Sequence, residues 1–428
     1  MELIQIKKIR NTFLILLLLI IFPFQVYALE IQSKNYVLYN LDNGELLMEQ
    51  NKDTETSVAS LTKIMTTLVA IEMIDDLNTQ VVITSPMLAG LAEANAYVIN
   101  LKVGQKVTYE DLLHGTLLPS GADATKAIVL SLANSEDKFV EKMNAKASEL
   151  NLKHTVLKNT TGLEAEGQYS TVQDIASLLK IAMQNETFNR IFLASSYRFS
   201  DNSMTVYNSY SQVAKSLGID VSYIKGAKTG FTDQAGRCLA SIAYDEKKGI
   251  HYLLVTTQAP TSSVSSFHVV DAKTIYDYTF LEYDNHVAIK ADQTLIELPT
   301  KNSKEKTIAI RANKIIKIFH DSKFDIEKVS IHYEGLDTLS SKQKVGDKVG
   351  TITIKYDNKE ISVVDAILET EIHFSMIQFL LQNIILVGLI TIAIVYVIVN
   401  LIRKKNTKKK KRYRLKVFKK LRKKKTSN

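Results

Sequence analysis

The chain has 428 residues, 46% hydrophobic and 23% charged, an ordinary balance for a folded protein of two or three domains, and it excludes a disordered chain. The net charge of +9 is unevenly placed: residues 403–428 hold 16 Lys or Arg and no acidic residue, residues 1–28 contribute +2, and the rest is 9 − 16 − 2 = −9. An acidic body excludes nucleic acid as a partner inferred from overall charge, a single Cys238 excludes an internal disulfide, and eight histidines without ligand-like spacing point to no metal and no cofactor.

Lys7, Lys8 and Arg10 precede an apolar run from Thr12 to Phe24, and Val26-Tyr27-Ala28 offers a cleavage site. Residues 1–28 therefore read as a signal peptide, because about 13 apolar residues fall short of the ~20 needed to span a bilayer. Tyr36 to Asn51 alternates as strands do, with Asp42-Asn43-Gly44 as a hairpin turn.

Ser60 then heads a run with helical period, Leu61, Ile64, Met65, Leu68 and Val69. Residues three apart on a helix share a face, so Lys63 sits one turn after Ser60. A serine hydroxyl needs a base to become a nucleophile, and a lysine serves only when neutral. Burial, a nearby positive charge such as Lys228 and the positive end of the helix all lower its pKa.

Ser120-Gly121-Ala122 follows, and residues 124–150 read as helical, with Ala127, Ile128, Leu130 and Leu132 apolar. Phe188 to Ser203 is expected at the rim of the site. Lys228-Thr229-Gly230, bracketed by Gly226 and Gly230, reads as the end of a strand, with Arg237 to Ala243 as its partner. A cation and a hydroxyl on a strand edge suit a carboxylate, and Gly230 lets the backbone approach a ligand. Cys238 reads as a buried free thiol within the partner strand. Strands at Leu239–Tyr244 and His251–Thr257 and a closing helix from Ser263 to Tyr283 complete a domain over residues 29–283.

Residues 284–372 read as a small all-β domain, with Thr307–Ile310, Val329–Tyr333 and Thr351–Tyr356 as strands and Tyr356-Asp357-Asn358 as a turn. Met376 to Ile402 carries no charge and is apolar nearly all round, as a transmembrane helix requires. The basic tail, residues 403–428, then belongs on the cytoplasmic side, where it attracts anionic membrane lipids, and the preceding domains lie outside.

Ser-x-x-Lys, a second serine motif and Lys-Thr-Gly, in that order, are the parts of penicillin-interacting serine acyltransferases. The chain resembles the low-molecular-mass penicillin-binding proteins of the D-alanyl-D-alanine carboxypeptidase family over roughly residues 30–370. Ala59–Thr66, Leu118–Gly121, Phe139–Asn144, Gly167–Thr171 and Lys228–Thr232 running into Ala235-Gly236 carry the resemblance.

The resemblance implies an α+β fold, a β-lactamase/transpeptidase-like mixed sheet with flanking helices. It implies peptidoglycan stem peptides as substrates and β-lactam antibiotics as inhibitors. Ser60 would be the nucleophile, Lys63 its base and Ser120 a proton relay. Lys228 and Thr229 would hold the substrate carboxylate, Gly230 and Phe231 would complete the substrate-binding stretch, and the N–H groups of Ser60 and Phe231 would hold the oxyanion. Two positions depart from the pattern: Ala122 stands where Asn is usual, and Gln168 where His is frequent. The same chemistry serves a carboxypeptidase or a D,D-transpeptidase. A β-lactamase fits the membrane span and β domain less well, and Ala122 motivates a weakly active wall-binding protein as a further alternative.

Overall fold

The computed structural model describes residues 29–261 and 266–425. The signal segment expected over residues 1–28 lies outside them. The described residues fall into two compact units, the first ending at Glu282 and the second starting at Tyr283.

The first unit is built on a five-stranded sheet. Strands β1 (Asn35–Asn40) and β2 (Leu46–Gln50) form the hairpin read from the sequence. Strands β3 (Ile224–Thr232), β4 (Gly236–Asp245) and β5 (Ile250–Ala259) form a meander. The order is β2-β1-β5-β4-β3, which leaves β3 on an edge. Every pairing is antiparallel, where a mixed sheet was expected. The reason lies in the connections: short turns join β1 to β2 and β3 to β4 to β5, and a tight turn permits only an antiparallel neighbour.

Both faces of the sheet are covered, so its strands are apolar on both sides. Cys238, Ala240, Ile242, Leu253 and Val255 face one core. Their neighbours alternate to the other side, where Ser241 Oγ meets Tyr276 Oη at 2.9 Å.

The helical block fills the long excursion between β2 and β3. Its centre is α1 (Thr62–Met73), buried continuously from Thr62 to Ala70. Around it pack α2 (Tyr109–Leu117), α3 (Ala122–Ala133), α4 (Glu136–Glu149) and α5 (Val172–Ala182). The helix expected over residues 124–150 is broken at Asn134, which caps α3 in the left-handed conformation at φ +58. The Asp111 side chain caps α2 reciprocally with Thr108, at 2.8 and 3.1 Å, and so fixes the approach to Leu118-Pro119-Ser120. Two further helices follow, α6 (Glu186–Phe192) and α7 (Ser209–Ser216). The closing helix α8 (Phe267–Glu282) packs on β4 and β5; residues 262–265, where it was expected to start, lie outside the described residues.

The second unit opens with β-structure from Asp284 to Ile367, around a core that includes Leu298, Ile310, Leu339 and Ile352. The turn at Asp357 and Asn358 takes φ +47 and +64, the backbone of a tight two-residue hairpin. The expected single helix from Met376 is two: α9 (Met376–Gln382) and α10 (Ile384–Lys425). Asn383 separates them with a non-helical backbone. From Ile384 to Ile402, α10 is charge-free and about 28 Å long at 1.5 Å per residue. It is long and apolar enough to cross a membrane.

Candidate active site

Ser60 is the middle residue of a 3-10 turn, Ala59–Leu61, that leads into α1. The turn is tightly held. Ala59 takes a positive φ of 47°, uncommon for a residue with a Cβ. A Cβ on Gly162 would lie 1.9 Å from the Ala59 carbonyl oxygen, and Gly162 has φ +81, so only glycine fits there. A Cβ on Gly230 would come within 2.9 Å of Ser60 N. The third motif therefore presses its backbone against the nucleophile turn, the close approach that a glycine permits.

Lys63 Nζ lies 3.1 Å from Ser60 Oγ and donates to the Thr161 carbonyl at 2.7 Å. The residue is only 2% exposed. Burial pushes its pKa down to about 7, and the more distant Asp123 carboxylate opposes that shift. A substantial fraction of Lys63 is thus neutral near pH 7, as a base must be.

Thr161 belongs to a turn that sequence reasoning missed. Asn159 Oδ1 accepts from the N–H groups of Thr161 and Gly162 at 3.2 and 2.7 Å. Gln168 braces the turn from behind: it accepts from Asn159 N at 3.2 Å and donates to the Leu163 carbonyl at 2.8 Å. Gln168, which departs from the family pattern, thus serves here as a structural brace. The signal that could have found the turn is Asn159-x-x-Gly162, an Asx residue followed by a glycine.

Ser120 has φ +73, and its Oγ is buried without a hydrogen-bond partner among the described residues. Ala122 is buried and offers no side-chain hydrogen bond. Asp123 turns away, accepting from Ile99 N and Leu101 N at 3.0 Å each.

The third motif divides between two faces of β3. Thr229 Oγ1 meets Ser209 Oγ at 2.6 Å. Lys228, expected at the carboxylate end of the site, is fully buried, and its Nζ donates to the Thr229 carbonyl at 2.7 Å. Strand alternation is the cause, since it carries Lys228 to the core face, away from Thr229. Burial and the charge of Lys63 hold its pKa well below the usual lysine value.

A cleft of about 700 Å³ opens over these groups, lined by Ser60, Lys63, Ser120, Thr229, Gly230 and Phe231 among others. That volume suits a small ligand or a peptide end. The rim differs from expectation. The wall comes from Met204 to Tyr207 and from α7, whereas Phe188 to Ser203 does not reach the cleft. Tyr97 and Asn100, Arg237 and His268 also line it and were not singled out from the sequence. Cys238 is a buried free thiol whose pKa burial pushes up to about 12.

A serine beside a lysine of lowered pKa, on a helix start between a sheet edge and a helical block, defines a serine hydrolase with a transpeptidase-like fold. A D-alanyl-D-alanine carboxypeptidase model matches residues 23–261, and a penicillin-binding protein 5 C-terminal domain model matches residues 283–373. The chain belongs to the D-alanyl-D-alanine carboxypeptidase family. It is 29% identical over 374 residues to the D-alanyl-D-alanine carboxypeptidase DacF of Bacillus subtilis, covering 83% of this chain and 92% of that protein. Penicillin-binding protein 5 of Haemophilus influenzae shares the fold at a TM-score of 0.57 and 23% identity, over 80% of this chain and 98% of that one. A Streptomyces K15 DD-transpeptidase variant superposes at a TM-score of 0.52 with 27% identity, over 58% of this chain and 98% of its own.

Proposed function

We propose that this chain is a membrane-anchored serine D-alanyl-D-alanine carboxypeptidase that trims the terminal D-alanine from peptidoglycan stem peptides. The observation that carries the reading is Ser60 Oγ 3.1 Å from a buried Lys63 with its pKa near 7, at the wall of an open cleft. Neutral Lys63 takes the Ser60 proton as Oγ attacks the carbonyl between the two D-alanines. General-base help of this kind contributes about 10²–10⁴-fold. The N–H groups of Ser60 and Phe231 meet the oxyanion, each worth on the order of 10²-fold or more. Ser120 passes a proton to the leaving amine, and water then hydrolyses the ester on Ser60. Thr229 and Gly230 receive the substrate end beside Phe231, and Lys228 supports them from behind. β-Lactams enter by the same attack and remain on Ser60.

The Thr161 carbonyl holds Lys63 in the absence of an Asn at position 122, which supports an active enzyme over a weakly active wall-binding protein. The relatives that match most of this chain's length bear the carboxypeptidase name, which supports hydrolysis over transfer. With α10 across the membrane and the basic tail inside, the catalytic domain faces outward and the tail meets anionic lipids.

Mass spectrometry of a D-Ala-D-Ala pentapeptide incubated with the detergent-solubilised chain tests this. Loss of one alanine is the expected result. An amine-linked product would identify a transpeptidase, and an unchanged peptide would overturn the enzyme reading.

A further inference from the structure

Glu164 is exposed and is not among the residues that line the cleft, yet one oxygen of its carboxylate joins three segments of the site. Its Oε1 accepts from Ser57 Oγ at 3.0 Å and from Thr232 Oγ1. Thr232 Oγ1 in turn accepts from Ala235 N at 3.0 Å, which leaves its own proton to donate to Glu164. Ser57 precedes the 3-10 turn that holds Ser60, and Thr232 ends β3 directly after Phe231. Glu164 follows the Asn159–Gly162 turn. The residue between them is pinned, because the Leu163 carbonyl accepts from Asn159 Nδ2 and Gln168 Nε2 at 2.8 Å each.

Each of the three segments carries one working group. The Thr161 carbonyl holds Lys63 at 2.7 Å, the Ser57 segment leads into Ser60, and Thr232 adjoins the Phe231 N–H that meets the oxyanion in the proposed reaction. The segments already touch at Gly162 against Ala59 and at Gly230 against Ser60. Such steric contact stops them from coming closer, and nothing in it stops them from parting. The hydrogen bonds on Glu164 supply the restraint in that direction. Exposed polar contacts add little to global stability. A displacement of about 1 Å between reacting groups, by contrast, costs about 10²-fold in rate.

We infer that Glu164 is a positioning residue: through Ser57 and Thr232 it ties the base, the nucleophile and the oxyanion strand into one arrangement, and it acts on rate with little effect on stability. The inference rests on the reading of Ser60 as the nucleophile. What the site uses is an acceptor of this length that reaches both hydroxyls. A carboxamide oxygen in the same place accepts in the same way.

The test is acylation of the full chain in detergent by a fluorescent penicillin, followed over penicillin concentration, beside the thermal midpoint. Glu164→Ala should lower the maximal acylation rate by about 10–100-fold. Its half-saturating concentration and its midpoint should stay close to wild type. Glu164→Gln should recover most of the rate. Thr232→Val should lose rate in the same way, and Glu164→Ala added to it should cost far less than it does alone, because that tie is already cut. If Glu164→Ala acylates like wild type, if Glu164→Gln is no better than Glu164→Ala, or if the two losses multiply in the double variant, the inference fails. A loss of rate that follows a lowered midpoint identifies a structural role and overturns it as well. A wild type that takes no label overturns the reading of Ser60, and this inference with it, whereas a labelled wild type beside an indifferent Glu164→Ala overturns this inference alone.

Discussion

On the helical wall of the cleft, Lys63 is 2% exposed, touches Ser60 and Thr161, and has its pKa pushed down to about 7. On the strand wall, the Arg237 guanidinium lies over the exposed Phe231 ring, 5.4 Å from its centroid. Both are basic residues, yet their environments give them opposite work. A lysine shifts its pKa readily when buried, and that makes a base. An arginine does not, and so is no base. Lys228 differs from both: buried on the core face, it bonds a backbone carbonyl of its own strand.

The comparison breaks most sharply at the nucleophile turn. Ser60→Ala should abolish covalent labelling by a fluorescent penicillin, a loss of about 10⁴-fold or more. Labelling that persists in the variant would move the nucleophile elsewhere. Next in size is Lys63→Arg, which places a permanent cation where a base is needed. It should lower acylation by about 10³-fold, whereas Lys228→Arg should retain a measurable part. Equal retention in both would erase the distinction between a working and a supporting lysine.

Gly162→Ala probes the turn that holds the helical wall. The added Cβ meets the Ala59 carbonyl oxygen, and the backbone there is left-handed. A loss of about 3 kcal/mol or more is expected, read as a lowered midpoint in denaturant. An unchanged midpoint would mean the two turns are not coupled. The smallest effect is expected at Ala122→Asn. A restored side-chain amide adds one or two hydrogen bonds near Lys63, each worth on the order of 1 kcal/mol, so acylation should rise by about one order of magnitude. No rise would show that the Thr161 carbonyl already does that work.

Much of the helical wall was legible in the sequence. Ser60 and Lys63 declare themselves by spacing, because a helix start forces residues three apart together. The hairpin before them, the antiparallel partner of the Lys228 strand and the turn at Asp357-Asn358 were legible for similar local reasons. The strand wall was less so. That Lys228 faces inward and Arg237 faces the cleft depends on which strand face meets the helical block, a tertiary fact absent from any short window. The Asn159 turn was hidden because it acts through a carbonyl, which every residue has. The break at Asn383 was hidden because one polar residue hardly disturbs a long apolar run.

The claim that most depends on the structure is that burial makes Lys63 a base near neutrality. It is tested by the pH dependence of the second-order rate of penicillin acylation. The active form is the neutral amine, so its fraction rises as pH increases through about 7 and falls below it. The account predicts a rate that climbs with pH and is half-maximal near pH 7. A rate that is flat between about pH 5 and 9, or that falls as pH rises through that range, would contradict it.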